Sequence, residues 1–326
     1  MNDCLAKLPK KFLEQVEEVV PADLKASVYE GLQTRRATTF RTNTLKIATS
    51  ELERKLHERG IQFEKISWFK DGFVLVSPSK KEFIETDLYQ EGLLYIQSLS
   101  SMIPPLVLDP KSGESVLDLT AAPGSKTTQM AMMMQNSGTI VANDRSKVRL
   151  YKLEYNLKMQ GVMNTTISYS DGKDVWRKYP EQFDKVLVDV PCSLEGRFNC
   201  NDPKTYKDWA SGKVKVLASL QKFLLRAAIS ATKVGGSIVY STCTLSVEEN
   251  EEVVDWILEK EGDAIALEQI SIDSLEGIAG FTSKGKKAFH KDIEKCLRIF
   301  PSATMEGFFV AKIIKKKSTL DSSSFE

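Results

Sequence analysis

Two cysteines set the chemistry open to this chain. Cys192 stands in Val188-Asp189-Val190-Pro191-Cys192-Ser193 and Cys243 in Tyr240-Ser241-Thr242-Cys243-Thr244. Each follows a run of strand type, Lys185 to Asp189 and Ser237 to Tyr240, so both thiols are expected at one edge of a sheet, where open α/β folds carry their ligand crevice. A thiolate there can add to an electrophilic carbon and split one difficult step into easier ones. Asp189 adds a carboxylate beside the same site, able to hydrogen-bond a substrate edge. With His57 and His290 as the only histidines, the chain is poorly supplied for histidine triads or metal sites, and acid–base work falls to carboxylates, thiols or lysines.

Physical chemistry does not by itself rank the two thiols. A free cysteine ionises near pH 8.5, and earlier only beside positive potential or a helix N-terminus. Ser246 and Glu249 have the S-x-x-E spacing of a capping box, which predicts a helix starting three residues beyond Cys243. Its dipole would favour the thiolate by about 0.3–1 kcal/mol, with Glu248 and Glu249 opposing. Cys4, Cys200 and Cys296 read as small buried hydrophobes.

A second constellation concerns a cofactor. Val116-Leu117-Asp118-Leu119-Thr120-Ala121-Ala122-Pro123-Gly124-Ser125-Lys126 sets small residues between a strand and a helix, where backbone can approach a ligand closely. Asp144 lies 20 positions beyond Gly124, at the end of the next strand, where nucleotide folds place the carboxylate for a ribose. Asp171-Gly172, after the third strand, offers a contact to an adenine amino group. Singly, Gly124 also reads as a turn, Asp144 as a neighbour of a helix cap and Asp171 as a turn aspartate. At successive strand ends they point together to a nucleoside. The phosphate-cradling patterns G-x-x-x-x-G-K-[ST] and G-x-G-x-x-G are both missing. S-adenosylmethionine, a nucleoside without phosphates, fits, with Thr120, Ala121, Ala122, Pro123, Gly124, Ser125, Lys126, Asp144, Asp171 and Asp189 as candidate contacts.

Elements must hold these residues. From Glu114 onward strand and helix alternate: strands at 115–119, 139–142, 166–169, 185–189 and 237–240, helices at 126–134 and 146–159, the second ended by Gly161. A further helix carries Val216, Leu217, Leu220, Phe223, Leu224 and Ala227 on one face and stops at Gly235-Gly236; another runs from after Ser246 to near Gly262. Cys296–Phe300 and Gly307–Ile314 are expected to pair antiparallel and close the sheet. Before this, residues 1–105 read as a smaller α/β module. Phe12, Val16, Val19 and Val20 stripe one helix, Ser50 caps a second with Leu52 and Leu56, strands follow the Asp71-Gly72 turn and Gly92, and Pro104-Pro105 mark the boundary. Residues 106–315 form the catalytic domain and 316–326 a disordered tail.

The five cysteines lack C-x-x-C spacing, no hydrophobic leader is seen and no apolar run approaches the roughly 20 residues of a membrane span, so a reduced, cytoplasmic, soluble monomer is expected. The net charge of +1 does not identify partners. Arg35-Arg36, Arg41, Lys80-Lys81, Lys284-Lys286-Lys287 and Lys315-Lys316-Lys317 line a phosphate-binding surface if the fold gathers them, and otherwise are solvated. Trp209 and Tyr206 read as base-stacking or as packing residues.

The motifs Leu117-Asp118-Leu119-Thr120-Ala121-Ala122-Pro123-Gly124-Ser125-Lys126-Thr127, Asp189-Val190-Pro191-Cys192-Ser193 and Tyr240-Ser241-Thr242-Cys243-Thr244-Leu245 with Glu248-Glu249-Asn250-Glu251 resemble those of the RsmB/Sun-type RNA (cytosine-5) methyltransferases. Arg41-Thr42-Asn43-Thr44-Leu45-Lys46, Tyr95-Ile96-Gln97-Ser98-Leu99-Ser100-Ser101 and Gly307-Phe308-Phe309-Val310-Ala311-Lys312 extend the likeness over nearly the whole chain. The resemblance implies a class I S-adenosylmethionine-dependent methyltransferase, a Rossmann-like, mostly parallel seven-stranded sheet, preceded by an RNA-recognition-like module. It implies transfer or ribosomal RNA as partner, Cys243 as nucleophile and Cys192 as the thiol assisting release. The chain departs from the family pattern at Thr120, where Cys is usual, at Ser125 (Gly), at Val190 (Pro), and in Pro301–Met305, which lacks a usual His. Two other readings stand beside this one: an RNA-binding assembly factor with dispensable activity, and a DNA cytosine-5 methyltransferase, which would use the thiol at Cys192.

Overall fold

The computed structural model describes residues 3–320. Helices α1 (Lys10–Val19) and α2 (Lys25–Gln33) precede an antiparallel sheet of order β2-β3-β1-β4. Its strands are β1 (Thr39–Thr42), β2 (Gln62–Ile66), β3 (Phe69–Ser77) and β4 (Leu94–Ile96), with α3 (Thr49–Glu58) and the single turns α4 (Lys80–Phe83) and α5 (Asp87–Gln90) between them. On α1, Phe12, Leu13 and Val16 are buried against Phe198, Cys200 and Leu245 from the second half of the chain, and Val19 joins the core of the main sheet. Phe40, Phe73 and Phe83 fill the core of the small sheet with Leu52 and Leu56.

Three local expectations fail here. Ser50 does not cap α3; Ala48 is the last extended residue and Ser50 falls within the first turn. Asp71-Gly72 is not a turn but part of β3, because the chain reverses earlier, between Ile66 and Phe69. Pro104-Pro105 lies inside α6 (Leu99–Leu108). A proline cannot donate to the carbonyl four residues back. For Pro105 that carbonyl belongs to Ser101, and the Gln97 side-chain amide donates to it at 2.9 Å, so the helix continues.

The main sheet begins with five parallel strands in the order β9-β8-β5-β6-β7: β5 (Ser115–Asp118), β6 (Thr139–Asn143), β7 (Thr165–Ser168), β8 (Phe183–Asp189) and β9 (Thr232–Thr242). The crossovers carry α7 (Ser125–Met133), α8 (Lys147–Gln160), the single turn α9 (Val175–Lys178) and α10 (Ser211–Ala231). After α11 (Glu251–Glu261) come β10 (Ile265–Glu268), β11 (Ile278–Ala279), a hairpin of β12 (Ser283–Lys284) with β13 (Lys287–Ala288), then β14 (Leu297–Ile299) and β15 (Phe308–Lys315). β15 runs antiparallel to β9, and its free edge takes β10 at one end and β14 at the other. This is the mostly parallel sheet of a class I methyltransferase fold. It has nine strands where seven were expected, since β10 and β11 are short edge additions whose patterns carry little periodicity.

α10 also turns differently. Val216 and Phe223 are exposed, and Val214, Ala218, Gln221, Leu225 and Ala228 are buried. Of the expected face, Leu224 and Ala227 are buried and Leu217 and Leu220 half-buried, so the inward face is rotated to take in Val214, Ala218 and Leu225 and leave Val216 and Phe223 outside. It ends at Ala231, ahead of Gly235-Gly236, where β9 takes over the chain directly.

Candidate active site

The carboxyl ends of β5, β6, β8 and β9 open into a cavity of about 780 Å³ that reaches across to the small sheet. Cys192, Cys243, Asp189, Thr120, Ala122, Pro123, Ser125, Lys126, Asp144 and Asp171 all line it. Ala121 and Gly124 do not; they shape the loop from behind. β8 ends on Asp189, and two residues carry the chain to Cys192; β9 ends on Thr242, one residue before Cys243. Because β8 and β9 are parallel neighbours with Asp189 opposite Ser241, the two thiols meet, Sγ to Sγ 3.2 Å. Hydrogen bonding to Cys243 and burial push the Cys192 thiol well above the ordinary range.

Buried carboxyls hold the two loops from below. The Ser193 and Thr244 hydroxyls, each next to a thiol in sequence, are 2.6 Å apart. Thr244 Oγ1 donates to Glu195 Oε2 at 3.0 Å, and the Ser193 N–H donates to Glu249 Oε2 at 3.0 Å. Burial raises both acids, Glu249 to about 7. The capping box expected at Ser246 is only half made. Ser246 Oγ accepts the Glu249 N–H at 3.3 Å, but the Glu249 carboxylate turns away to Ser193 and Gln221, and the regular helix begins at Glu251. Donors shielded from water need a partner, and the half-buried Ser193 N–H claims this acceptor.

Lys126 behaves differently from a loop residue reaching for cofactor. Its buried ammonium lies 2.6 Å from Asp189 Oδ2 and donates to Ser101 Oγ at 2.8 Å. Ser241 Oγ donates to the other carboxylate oxygen at 2.8 Å, so Asp189 is anchored at both oxygens. Thr120, in place of the usual cysteine, donates to the Asp189 carbonyl at 2.8 Å. Nearby Asp118, fully buried, is raised to about 7 by burial, with the Thr127 hydroxyl hydrogen-bonded to it.

The other half of the cavity suits a nucleoside. Asp144, buried at the end of β6, accepts the Ala122 N–H at 3.2 Å and the Ser146 N–H at 2.9 Å and faces Arg149 Nη1 at 3.2 Å. Gly124 has φ 105°, and a Cβ there would stand 2.7 Å from Leu153 Cδ1; only glycine lets the loop rest on α8. Asp171 Oδ1 caps its own turn by accepting the Lys173 N–H at 3.1 Å while facing the cavity. The loop's one cation, Lys126, is taken by Asp189, so the loop itself offers no charge to a phosphate. Among the described residues no cluster of His, Cys, Asp or Glu is placed to hold a metal.

Several sequence-level expectations end elsewhere. Cys4 and Cys200, read as free thiols of a reduced chain, are joined in a disulfide with Cα atoms 5.5 Å apart; partners 196 residues apart leave no spacing signal. Cys296 is buried and free as expected. Trp209 and Tyr206 pack on Phe198, and Trp209 Nε1 donates to Glu195 at 3.0 Å. The basic clusters are not gathered. Arg41 is buried, donating to Gln97 and Thr128 and so locking the small sheet to α7. Arg36 donates to backbone carbonyls, Lys315 is buried on Glu181, and Lys284, Lys287 and Lys317 pair with acids. Arg35 and Lys80 alone of these stay exposed at the cavity. Residues 321–326 of the expected tail lie outside the described residues. No described helix is long and apolar enough to cross a membrane. Sequence reasoning missed Glu195, Glu249 as a buried acid, and the Lys126–Asp189 pair; carboxylates within apolar strand-end loops were the available signal.

Residues 105–314 match the family model of the 16S rRNA methyltransferase RsmB/F, and residues 8–99 that of the N-terminal domain of 16S rRNA methyltransferase RsmF. Ribosomal RNA small subunit methyltransferase F of Shewanella amazonensis is 38% identical over 320 residues, 96% of this chain and 66% of that protein. The Vibrio parahaemolyticus protein of the same name is 38% identical over 95% of this chain and 64% of its own length. The chain thus spans just under two thirds of these relatives. Among solved structures, a methyltransferase homolog protein from Pyrococcus horikoshii superposes with TM-score 0.78 at 32% identity, over 94% of this chain and 100% of that one. NSun6 from Pyrococcus horikoshii, solved with SFG, gives TM-score 0.80 at 25% identity, over 96% of this chain and 100% of that one. Matched along both of its sheets, and with its paired thiols at the strand ends the motifs foretold, this chain belongs to the RsmB/F methyltransferase family.

Proposed function

We propose that this protein is an S-adenosylmethionine-dependent RNA methyltransferase that forms 5-methylcytosine through a covalent bond to Cys243. The observation that carries it is the pair of thiols 3.2 Å apart beside an anchored Asp189, at one end of a cavity whose other end suits a nucleoside. The curated relatives are named for ribosomal RNA, which favours that substrate over transfer RNA. S-adenosylmethionine supplies an electrophilic methyl group when bound; Asp144, the Thr120–Ser125 backbone and Asp171 would hold it.

Carbon 5 of cytosine is a weak nucleophile. Addition of the Cys243 thiolate to carbon 6 makes the ring an enamine, whose carbon 5 can accept the methyl group. Asp189, held by Lys126 and Ser241, faces the same cavity to hydrogen-bond the cytosine edge. The cytosine must leave its stack for a thiol to reach carbon 6. The hydrogen bond to Cys243 and burial favour the protonated Cys192 thiol. Lying 3.2 Å from the Cys243 sulfur, Cys192 is placed to assist at the stage when the carbon-5 proton must be removed and Cys243 expelled.

Cys192→Ala tests both roles. It should transfer the methyl group and then stall, leaving a protein–RNA adduct that survives a denaturing gel and depends on S-adenosylmethionine. Cys243→Ser should give neither adduct nor product. Turnover near the wild-type rate by Cys243→Ser, with none by Cys192→Ser, would reverse the assignment.

A further inference from the structure

α8 carries two apolar stripes where a surface helix needs one. Leu150, Leu153 and Leu157 face inward, and the last two are buried. At about 100° per residue, Val148, Tyr151 and Tyr155 form a second stripe on roughly the opposite side. They are 72%, 71% and 63% exposed, and no described element covers them. Single exposed apolar residues are ordinary, but two tyrosines one turn apart with a valine make a patch.

The surroundings of the patch state its partner. Lys147 and Lys158 flank the stripe on one side and Lys152 on the other, with Arg145 at the helix start. Residues 145–160 contain five basic side chains and one acid, Glu154, in a chain whose net charge is +1. Among the described residues, none forms an ion pair with Arg145, Lys152 or Lys158. Lys147 lies 5.1 Å from the centre of the Tyr169 ring, itself 57% exposed, which extends the aromatic surface toward β7. Tyr151, Lys152, Tyr155 and Asn156 line a shallow concavity of about 350 Å³ against Pro123. Pro123 is also a wall of the active-site cavity, so the two hollows adjoin.

We propose that this face of α8 is a docking site for single-stranded RNA flanking the methylated nucleotide, with Tyr151 and Tyr155 stacking on unpaired bases and Lys147, Lys152 and Lys158 meeting phosphates. Sequence-tolerant single-strand binding combines aromatic platforms with a basic track in this way. A protein partner would be served by the apolar stripe but not by lysines along both of its flanks. The inference rests on the reading of the protein as an RNA methyltransferase.

The test uses the full chain and a fluorescein-labelled single-stranded RNA that the wild type methylates, followed by anisotropy and by methyl incorporation. Tyr151→Ala with Tyr155→Ala should weaken binding at least about fivefold and raise KM for RNA with kcat unchanged, while the conservative Tyr151→Phe with Tyr155→Phe keeps the affinity. Lys152→Ala with Lys158→Ala should lower the slope of log affinity against log salt by about 1.4, near 0.7 for each phosphate that is no longer neutralised. An unchanged KM and affinity in the tyrosine variant, with wild-type methylation intact, would overturn the docking site and leave the enzymatic reading standing; that is also the result a protein-binding face would give. If the wild type methylates no RNA offered, from ribosomal or transfer sources, both readings fall together.

Discussion

The Arg298–Glu251 pair offers the sharpest test of how the active-site loop is held. Both side chains are buried, 1% and 0% exposed, and the carboxylate takes Arg298 Nε at 2.5 Å and Nη2 at 2.7 Å. The third nitrogen donates to the Leu245 carbonyl at 3.0 Å, two residues from Cys243, and the guanidinium lies 4.7 Å from the Phe281 ring centre. Glu251→Gln keeps the volume but leaves a buried cation without its counter-charge. Breaking such a pair costs about 3–5 kcal/mol, because the remaining charge has lost its compensation. At about 2.1 cal/mol/K per residue, unfolding a chain of this length has an entropy near 0.7 kcal/mol/K, so Tm should fall by about 4–7 °C in calorimetry. Replacing both partners, Glu251→Gln with Arg298→Met, removes the stranded charge and should recover a good part of the loss. A shift below about 1.5 °C for the single variant, or a double variant no better than the single one, would refute the account.

Glu249→Gln tests the buried acid beneath the thiols. A carboxyl whose folded pKa is raised to about 7 contributes its full stability below its unfolded value near 4.5, and loses it as pH rises toward 7. The wild type should therefore weaken over that window, by at most about 3 kcal/mol for this group, and the variant should show a shallower slope in denaturant titrations at each pH. Asp118 titrates in the same direction, so Asp118→Asn should flatten the profile independently, and an unchanged slope in both variants would contradict the burial argument. Asp144→Asn should lower affinity for S-adenosylmethionine by about 1.5–3 kcal/mol in calorimetry, the scale of a hydrogen bond to a charged group; unchanged affinity would remove Asp144 from the site. The trapped RNA adduct of Cys192→Ala and the KM effect of the paired tyrosine variant complete the set.

What the sequence determined by itself was the placing of chemistry at strand ends. Alternating strand and helix patterns are local, set by side-chain period and by glycine, so the runs before Cys192, Cys243, Asp144 and Gly124 could be read directly. That placing holds, and all of the candidate residues except Ala121 and Gly124 reach one cavity. What only the tertiary structure decided depends on which strands lie side by side. The adjacency of β8 and β9 brings two thiols 51 residues apart to 3.2 Å, and that of β8 and β5, the strand leading into α7, gives Asp189 to Lys126. Glu249 has the spacing of a cap and serves Ser193 instead, because a half-buried amide outside its own segment needed an acceptor. The Cys4–Cys200 disulfide, the inward face of α10 and the edge strands β10 and β11 are likewise settled by contacts between distant segments, where a local pattern permits several answers and packing admits one.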